Sequence, residues 1–75
     1  MLKNEFGKFV RRKRLESGMT LNKFAISADI DPAIISRIEN GKQDTKLSIL
    51  AKIAKSFNLT LSEFLAEFET KLHNS

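Results

Sequence analysis

Apolar residues recur at helical spacing in five stretches of the chain, and polar or turn-forming residues separate these stretches. The first stretch covers about residues 3–17 and stops at Gly18. Its apolar stripe comprises Leu2, Phe6, Phe9 and Val10. Lys13 falls inside this stripe, so we expect its alkyl stem to lie along the core and its ammonium group to reach outward. The pattern predicts an all-α chain of five helices.

A tight turn separates two short predicted helices in the middle of the chain. Thr20 is a good N-cap for the first of them, whose apolar face comprises Leu21, Phe24, Ala25 and Ala28. Asp29 interrupts the pattern, and aspartate tolerates a positive φ better than most residues. Asp31 can cap the next helix, with Pro32 at its first position, where the missing N–H costs nothing. Gly41 suits the left-handed position after that helix.

The second short helix has two faces of opposite character when its residues are placed about 100° apart. We expect its apolar face to be buried, and this face comprises Ile34, Ile35 and Ile38. The opposite face carries Ala33, Ser36, Arg37 and Asn40, with Glu39 at the flank. This arrangement fits a helix-turn-helix, in which a short helix and a tight turn precede a second helix that enters the DNA major groove. Here the outer face of the second helix carries small residues and an arginine.

The same stretch resembles the Cro and phage-repressor (XRE-type) helix-turn-helix family, whose pattern is roughly T-x-x-x-L-A, a few residues, then I-S-x-I-E-x-G-K. The matching positions are Thr20, Phe24, Ala25, Ile35, Ser36, Ile38, Glu39, Gly41 and Lys42. The resemblance covers about residues 5–65 and implies a compact five-helix lambda-repressor-like DNA-binding domain, with the helix-turn-helix at helices two and three. The chain departs from the family at Leu21, Asp29 and Pro32, where glutamine, glycine and a polar base-contacting residue are frequent.

The resemblance also implies which residues contact DNA when residues 32–40 lie in the major groove. Base contacts are expected from Ala33, Ser36 and Arg37. Phosphate contacts are expected from Arg11, Arg14, Thr20, Asn22, Lys23, Asn40, Lys42, Gln43 and Lys46. In the family, a first-helix arginine pairs with the glutamate that ends the recognition helix, and here these residues are Arg14 and Glu39. A purely internal brace is the alternative role for Arg14, and an ordinary solvated loop is the alternative for residues 42–46.

Two more helices are predicted after this loop. The fourth has an apolar face of Leu47, Leu50, Ile53, Ala54 and Phe57. Thr60 and Glu63 form a capping box at the start of the fifth, whose apolar residues are Leu61, Phe64, Leu65, Phe68 and Leu72. Their spacing resembles a short coiled-coil seam. We therefore expect a homodimer with interface residues Phe64, Leu65, Phe68 and Leu72. The alternative is that Phe68 and Leu72 pack back on their own domain.

Length and composition limit the other possibilities. A chain of 75 residues is expected to form one domain over residues 1–75, in which residues 66–75 are the end of the fifth helix and a tail. The absence of cysteine excludes disulfides and Cys-based zinc sites, and His73 alone cannot form a metal cluster. No cofactor and no small-molecule effector is evident. Without a secretory h-region or an apolar run near ~18 residues, a cytoplasmic protein with no membrane partner is expected.

Charge is concentrated at one end of the chain. The net charge is +4. Residues 1–23 hold seven Lys or Arg and two Glu, a net charge of +5, whereas residues 24–46 have −1 and residues 47–75 have zero. This concentration favours a polyanionic partner, although a solvated helix face is the simpler interpretation of the basic run by itself.

The function predicted from the sequence is a homodimeric, sequence-specific regulator of transcription that binds double-stranded DNA at a pseudo-palindromic operator. Among family members, the compact single domain is similar to restriction–modification controllers, with phage repressors and antitoxin-type autorepressors as other roles. The main alternative is a protein-interaction module or antitoxin component whose C-terminal helix binds another protein. A membrane-surface helix at residues 3–17 is disfavoured because its apolar face is needed for the core. An enzyme is not expected, since no nucleophile–base pair or glycine-rich loop is present.

Overall fold

Five helices account for most of the chain. The computed structural model describes residues 2–74, and in these residues it contains α1 (Leu2–Glu16), α2 (Leu21–Ala28), α3 (Pro32–Glu39), α4 (Leu47–Ser56) and α5 (Leu61–Asn74). No strand occurs between residues 2 and 74. The all-α prediction is confirmed, and the bounds of α1 differ by one residue at each end from those expected.

Side-chain caps start three of these helices, and threonine is the cap in two of them. The Thr20 hydroxyl accepts a hydrogen bond from the Lys23 N–H at 3.2 Å and caps α2. The Thr60 hydroxyl accepts from the Glu63 N–H at 3.1 Å, while the Glu63 carboxylate accepts from the Thr60 N–H at 2.8 Å. This reciprocal pair is the predicted capping box of α5, and it satisfies two backbone donors that the first turn leaves without partners.

The core lies where α1 packs on α3 and α5, α2 packs on α3 and α4, and α4 packs on α5. Its buried apolar residues are Phe6, Phe9, Val10, Phe24, Ala25, Ala28, Ile30, Ile35, Ile38, Ile53, Ala54, Phe64 and Phe68. All six phenylalanines of the chain form one connected cluster of rings, because Phe57 bridges Phe24 and Phe64 at centroid distances of 5.2 and 6.2 Å. Such pairs add to the stabilisation from burial alone.

Helix α5 contributes to this core further along its length than the sequence indicated. The Phe68 ring lies 5.2 Å from Phe6 and 5.3 Å from Phe9, and only 8% of Phe68 is exposed. Leu72 is half-buried and packs against the same cluster. The prediction that Phe68 lies in an interface between two chains is therefore wrong. The alternative, in which this part of α5 packs back on the domain, is correct because α1 lies alongside α5.

The first residues of two helices correct the predicted apolar faces. Leu2 begins α1 and is 64% exposed, and Leu47 begins α4 and is 68% exposed. Both were expected in the core, but each stands at the end of its helix, where no neighbouring helix covers it. Ile34 is only half-buried, although it was expected in the buried face of α3. Helical periodicity identifies the side of a helix that faces the core but not the point where the covering helix ends.

Lys13 behaves as predicted for a lysine inside an apolar stripe. Its ammonium group lies over the rings of Phe9 and Phe57, at 5.8 and 5.3 Å from their centroids. The same group is 2.7 Å from a carboxylate oxygen of Glu67 on α5. This lysine therefore serves the packing of α1 on α5, and its charge already has an internal partner.

Candidate nucleic-acid interface

The turn between α2 and α3 determines how α3 is presented. Asp29 ends α2 in the left-handed region with φ 56°, as its tolerance of positive φ predicted. The Asp31 carboxylate accepts from the Ala33 N–H at 2.8 Å and caps α3, with Pro32 in its first turn. From α4, the Lys52 ammonium donates to the Asp29 carbonyl at 3.1 Å. These contacts connect the turn to the start of α3 and to the rest of the domain.

The two faces of α3 are separated as predicted. Ile35 and Ile38 are each 1% exposed and belong to the core. On the opposite side, Ala33 and Arg37 are exposed and Ser36 is half-exposed. The structure thus brings the three predicted base-contacting residues together on one outward surface, which we call the outer face of α3.

A buried ion pair connects α1 to the end of α3. The Arg14 guanidinium donates from Nε to Glu39 Oε2 at 2.8 Å and from Nη2 to Glu39 Oε1 at 3.0 Å. Its Nη1 donates to the Met19 carbonyl at 2.9 Å. Only 8% of Arg14 is exposed, and the hydrogen bond to Glu39 raises its pKa above the ordinary arginine value despite its burial. The predicted pairing is present, and it places Arg14 inside the domain as a brace instead of at the surface as a phosphate contact.

Gly7 allows the close approach of α1 to α3, a role that was not predicted from the sequence. A Cβ atom at Gly7 would collide with the Ile38 carbonyl oxygen and would lie 3.0 Å from the Glu39 carbonyl oxygen. Only glycine therefore fits where α1 crosses the last turn of α3. The sequence signal for this contact is a glycine in the interior of the predicted first helix, one helical turn after Lys3 and two turns before Arg14.

Several cations on α3 and on the neighbouring segments form no salt bridge with the described residues. Arg11, Lys23, Arg37, Lys42 and Lys46 are all exposed, and none forms a salt bridge within residues 2–74. Lys13 and Lys52, by contrast, are paired with Glu67 and Asp29. These five cations belong to the set that the sequence associated with phosphate, and their charges are available to a polyanion. Lack of a salt bridge is not special to them, since in the described part of the chain Lys3, Lys8, Arg12, Lys55 and Lys71 also form none.

The polar residues expected at phosphate also lie at the surface. Thr20, Asn22 and Asn40 are exposed, and Gln43 is half-exposed. The Asn40 side-chain amide donates to the Ser36 carbonyl at 2.8 Å and so covers the end of α3. The Gln43 side-chain carbonyl accepts from Arg37 Nε at 2.7 Å, a contact that the sequence analysis did not anticipate.

A cleft between α1 and the end of α3 adds one cation to the predicted set. It is lined by Asn4, Lys8, Arg11, Glu39, Asn40 and Gly41. Lys8 lies one helical turn before Arg11 and shares this cleft with it. Lys8 also lines a groove toward α5, where Arg12 lies with Lys71 and Arg11 does not. The i, i+3 spacing of Lys8 and Arg11 is the sequence signal for their common side of α1.

Only part of the expected dimer interface is available at the surface. Phe64 is fully buried and Phe68 nearly so, because both belong to the phenylalanine cluster. Their assignment to an interface between chains is therefore corrected. Leu65 is 37% exposed and lines a groove with Leu2 and Leu72 along the outer side of α5.

Metal-binding clusters and membrane-spanning helices are two further features to consider in the part of the chain that the structure describes. No group of three or more metal-binding residues occurs among residues 2–74. None of the helices in this range is both long enough and apolar enough to cross a membrane.

The fold and the outer face of α3 define a helix-turn-helix protein of the lambda-repressor-like type. The helix-turn-helix family profile matches residues 10–64, and the chain belongs to this XRE-type family. Control protein C.MunI from Mycoplasma sp is 35% identical over 69 residues, which cover 91% of this chain and 93% of that protein. Membership identifies the chain as a regulator of the DNA-binding helix-turn-helix class.

Two solved structures have a similar fold. The crystal structure of the clp gene regulator ClgR from Corynebacterium glutamicum matches 97% of this chain and 78% of its own, with a TM-score of 0.81 and 22% identity. An HTH_3 family transcriptional regulator from Vibrio cholerae matches 89% of this chain and 38% of its own, with a TM-score of 0.79 and 25% identity. The predicted five-helix architecture is thus found in known regulators.

Proposed function

We propose that this chain is a homodimeric regulator that binds double-stranded DNA at a pseudo-palindromic operator, with α3 in the major groove. The observation that carries the proposal is the outer face of α3, which is exposed and capped at its start, with exposed cations on α1, on α2 and in the loop after α3. A helix presented in this way can contact bases through Ala33, Ser36 and Arg37. The exposed cations can contact the phosphates of the DNA backbone.

Arg37 is the residue that we expect to discriminate most between bases. Its neighbours on the outer face are too small for two parallel hydrogen bonds, whereas arginine can donate to guanine O6 and N7 together. Ala33 can contact a thymine methyl group, and Ser36 can contact a base edge. The recognised half-site should therefore contain a guanine whose replacement costs about 1–3 kcal/mol.

Selection of bound sequences from random duplex DNA tests this proposal. We expect a palindromic motif whose half-sites repeat at about 34 Å, one turn of the double helix. Arg37→Ala should then weaken binding to the selected site far more than binding to a scrambled duplex. Arg12→Ala is the matched control, since it removes the same side chain from the α5 side of α1. Equal losses on both duplexes with Arg37→Ala would show that Arg37 holds a phosphate only.

The dimer is proposed to form through the exposed apolar groove on α5. Leu2 and Leu65 line this groove, together with the half-buried Leu72. Sedimentation should give a dimer at micromolar concentration, and Leu65→Lys should give a folded monomer. Leu15 on α1 is 56% exposed, and Leu15→Lys is the control for adding a charge at an exposed leucine. A wild-type chain that stays monomeric both alone and on DNA would contradict the proposed dimer.

The similarity to a control protein favours a role in controlling restriction–modification genes. The 35% identity to control protein C.MunI, over 93% of that protein, supports this role. The alternative is that the α5 groove binds a different protein. Co-purification of such a partner, together with DNA affinity that does not depend on Arg37, would favour that alternative.

A further inference from the structure

The loop that follows α3 turns back over the side chain of Arg37. Gly41 adopts φ 70°, and its N–H donates to the Ile38 carbonyl at 3.0 Å. The next N–H, that of Lys42, donates to the Arg37 carbonyl at 2.9 Å. These two bonds form a Schellman motif, the common way to end a helix at a left-handed glycine. The motif fixes the backbone path so that residue 43 lies beside Arg37.

The side chain of Gln43 then holds the guanidinium group of Arg37. The Gln43 carbonyl oxygen accepts from Arg37 Nε at 2.7 Å. Gln43 is half-buried and Arg37 is exposed, so the acceptor is the better anchored of the two. Within residues 2–74, the two terminal nitrogens of Arg37 have no hydrogen bond to protein. The loop therefore engages the inner nitrogen and leaves the terminal nitrogens available.

This arrangement selects one edge of the guanidinium group. Arginine can present either Nε with one terminal nitrogen, or both terminal nitrogens, to the O6 and N7 atoms of guanine. Because Gln43 occupies Nε, only the edge with both terminal nitrogens remains. We propose that Gln43 is a positioning residue for base reading, which orients the terminal edge of Arg37 toward guanine before DNA binds. The inference rests on the proposed function and adds a specificity-determining residue to it.

Positioning and direct phosphate contact predict different behaviour for Gln43. Freezing a flexible side chain before binding reduces the entropy lost on binding, so it strengthens only those complexes in which Arg37 reads a base. A phosphate contact from Gln43 would strengthen binding to every duplex, whatever its sequence. The effect of changing Gln43 should therefore depend on whether Arg37 is present and on which duplex is bound.

A double-mutant cycle tests this dependence. Affinities of the wild-type chain, Gln43→Met, Arg37→Ala and the double variant are measured on the selected site and on a scrambled duplex. Methionine keeps the approximate size of glutamine but lacks the acceptor. We expect Gln43→Met to weaken binding to the selected site by about twofold to tenfold and to leave the affinity for the scrambled duplex unchanged. In a chain that already carries Arg37→Ala, adding Gln43→Met should have no further effect on affinity. Lys42→Met is the matched control, and it should weaken binding to both duplexes.

A measurement on the free protein separates positioning from any effect on folding. In ¹⁵N relaxation spectra, the Nε–H of Arg37 should be rigid in the wild type and mobile in Gln43→Met, while both chains melt at the same temperature. An equally mobile Nε–H in both chains would overturn the inference. The inference would also be overturned if Gln43→Met weakened binding to both duplexes equally. The same would hold if Gln43→Met weakened binding as much in the Arg37→Ala chain as in the wild type. If Arg37→Ala itself weakens both duplexes equally, then base reading by Arg37 fails and the inference fails with it.

Discussion

Arg14 and Arg37 both form hydrogen bonds near the end of α3, but their surroundings differ. Arg14 is buried and donates three hydrogen bonds, two of them to the carboxylate of Glu39. Arg37 is exposed and donates one hydrogen bond, to the neutral amide of Gln43. A buried cation needs a complete set of partners, because its loss of water is otherwise very costly. An exposed arginine can keep donors free for a ligand.

The surroundings of Arg14 also determine how the buried pair responds to pH. The hydrogen bond to Glu39 raises the pKa of Arg14, so this arginine gains stabilisation from its partner when charged. A group whose pKa is raised on folding contributes stability below its unfolded pKa and loses it only as the pH rises through the folded value. For arginine this window is strongly alkaline. The charge of Arg14 therefore stays constant at any pH at which DNA binding is measured.

The largest expected effect comes from breaking the buried pair. Arg14→Met or Glu39→Leu alone should lower the free energy of unfolding by about 3–5 kcal/mol, because each leaves an unpaired buried charge. The double variant should cost less than the sum of the two, since no unpaired charge remains. Urea denaturation followed by circular dichroism measures all three values. Additive losses would mean that the two side chains do not interact in solution.

A smaller effect is expected where α1 crosses α3. Replacing glycine by alanine within a helix usually stabilises it by about 0.5–1 kcal/mol. Gly7→Ala should instead destabilise the domain by about 1–3 kcal/mol, because the new methyl group meets the Ile38 carbonyl and pushes the helices apart. Lys8→Ala, one residue later on an exposed position, should change stability by less than about 0.5 kcal/mol. A stabilised Gly7→Ala variant would contradict the close approach.

The cap of α3 lies between the buried and exposed regions, and its removal should have an intermediate effect on stability. Asp31→Ala removes the acceptor for the Ala33 N–H and should cost about 1 kcal/mol in thermal unfolding. Asp44→Ala removes the same charge from an exposed loop position and should cost clearly less. Equal losses from the two variants would indicate that the effect arises from charge and not from capping.

The smallest effect on stability, but a clear effect on DNA binding, is expected at the exposed side of α1. Arg11→Ala and Arg12→Ala should each change the free energy of unfolding by less than about 0.5 kcal/mol. For Arg11→Ala alone, the slope of log affinity against log salt should become shallower by about 0.9, the value for one phosphate contact. The two residues are adjacent, but Arg11 lies in the cleft beside Asn40 and Arg12 lies toward α5. Identical slopes for both variants would contradict this division of the basic run.

Several features of the site could be predicted because they depend on residues close together in the chain. The cap at Asp31, the left-handed Asp29 and the outward face of Ala33, Ser36 and Arg37 all follow from helix geometry over a few residues. The pairing of Arg14 with Glu39 is an exception, since 25 residues separate them. It was predicted only through the resemblance to the family, and spacing alone could not have shown it.

The sequence by itself thus determined the helices, their caps and the two faces of α3, because propensity and periodicity act locally. Only the tertiary structure decided which apolar residues are covered. Phe68 is buried because α1 supplies Phe6 and Phe9 beside it, whereas Leu2 stays 64% exposed in an open groove beside α5. Likewise, the bond from Arg37 to Gln43 depends on the path of the loop after Gly41, and Gly7 matters only because two helices cross there. Burial and close approach depend on several elements at once, and a periodic pattern describes only one.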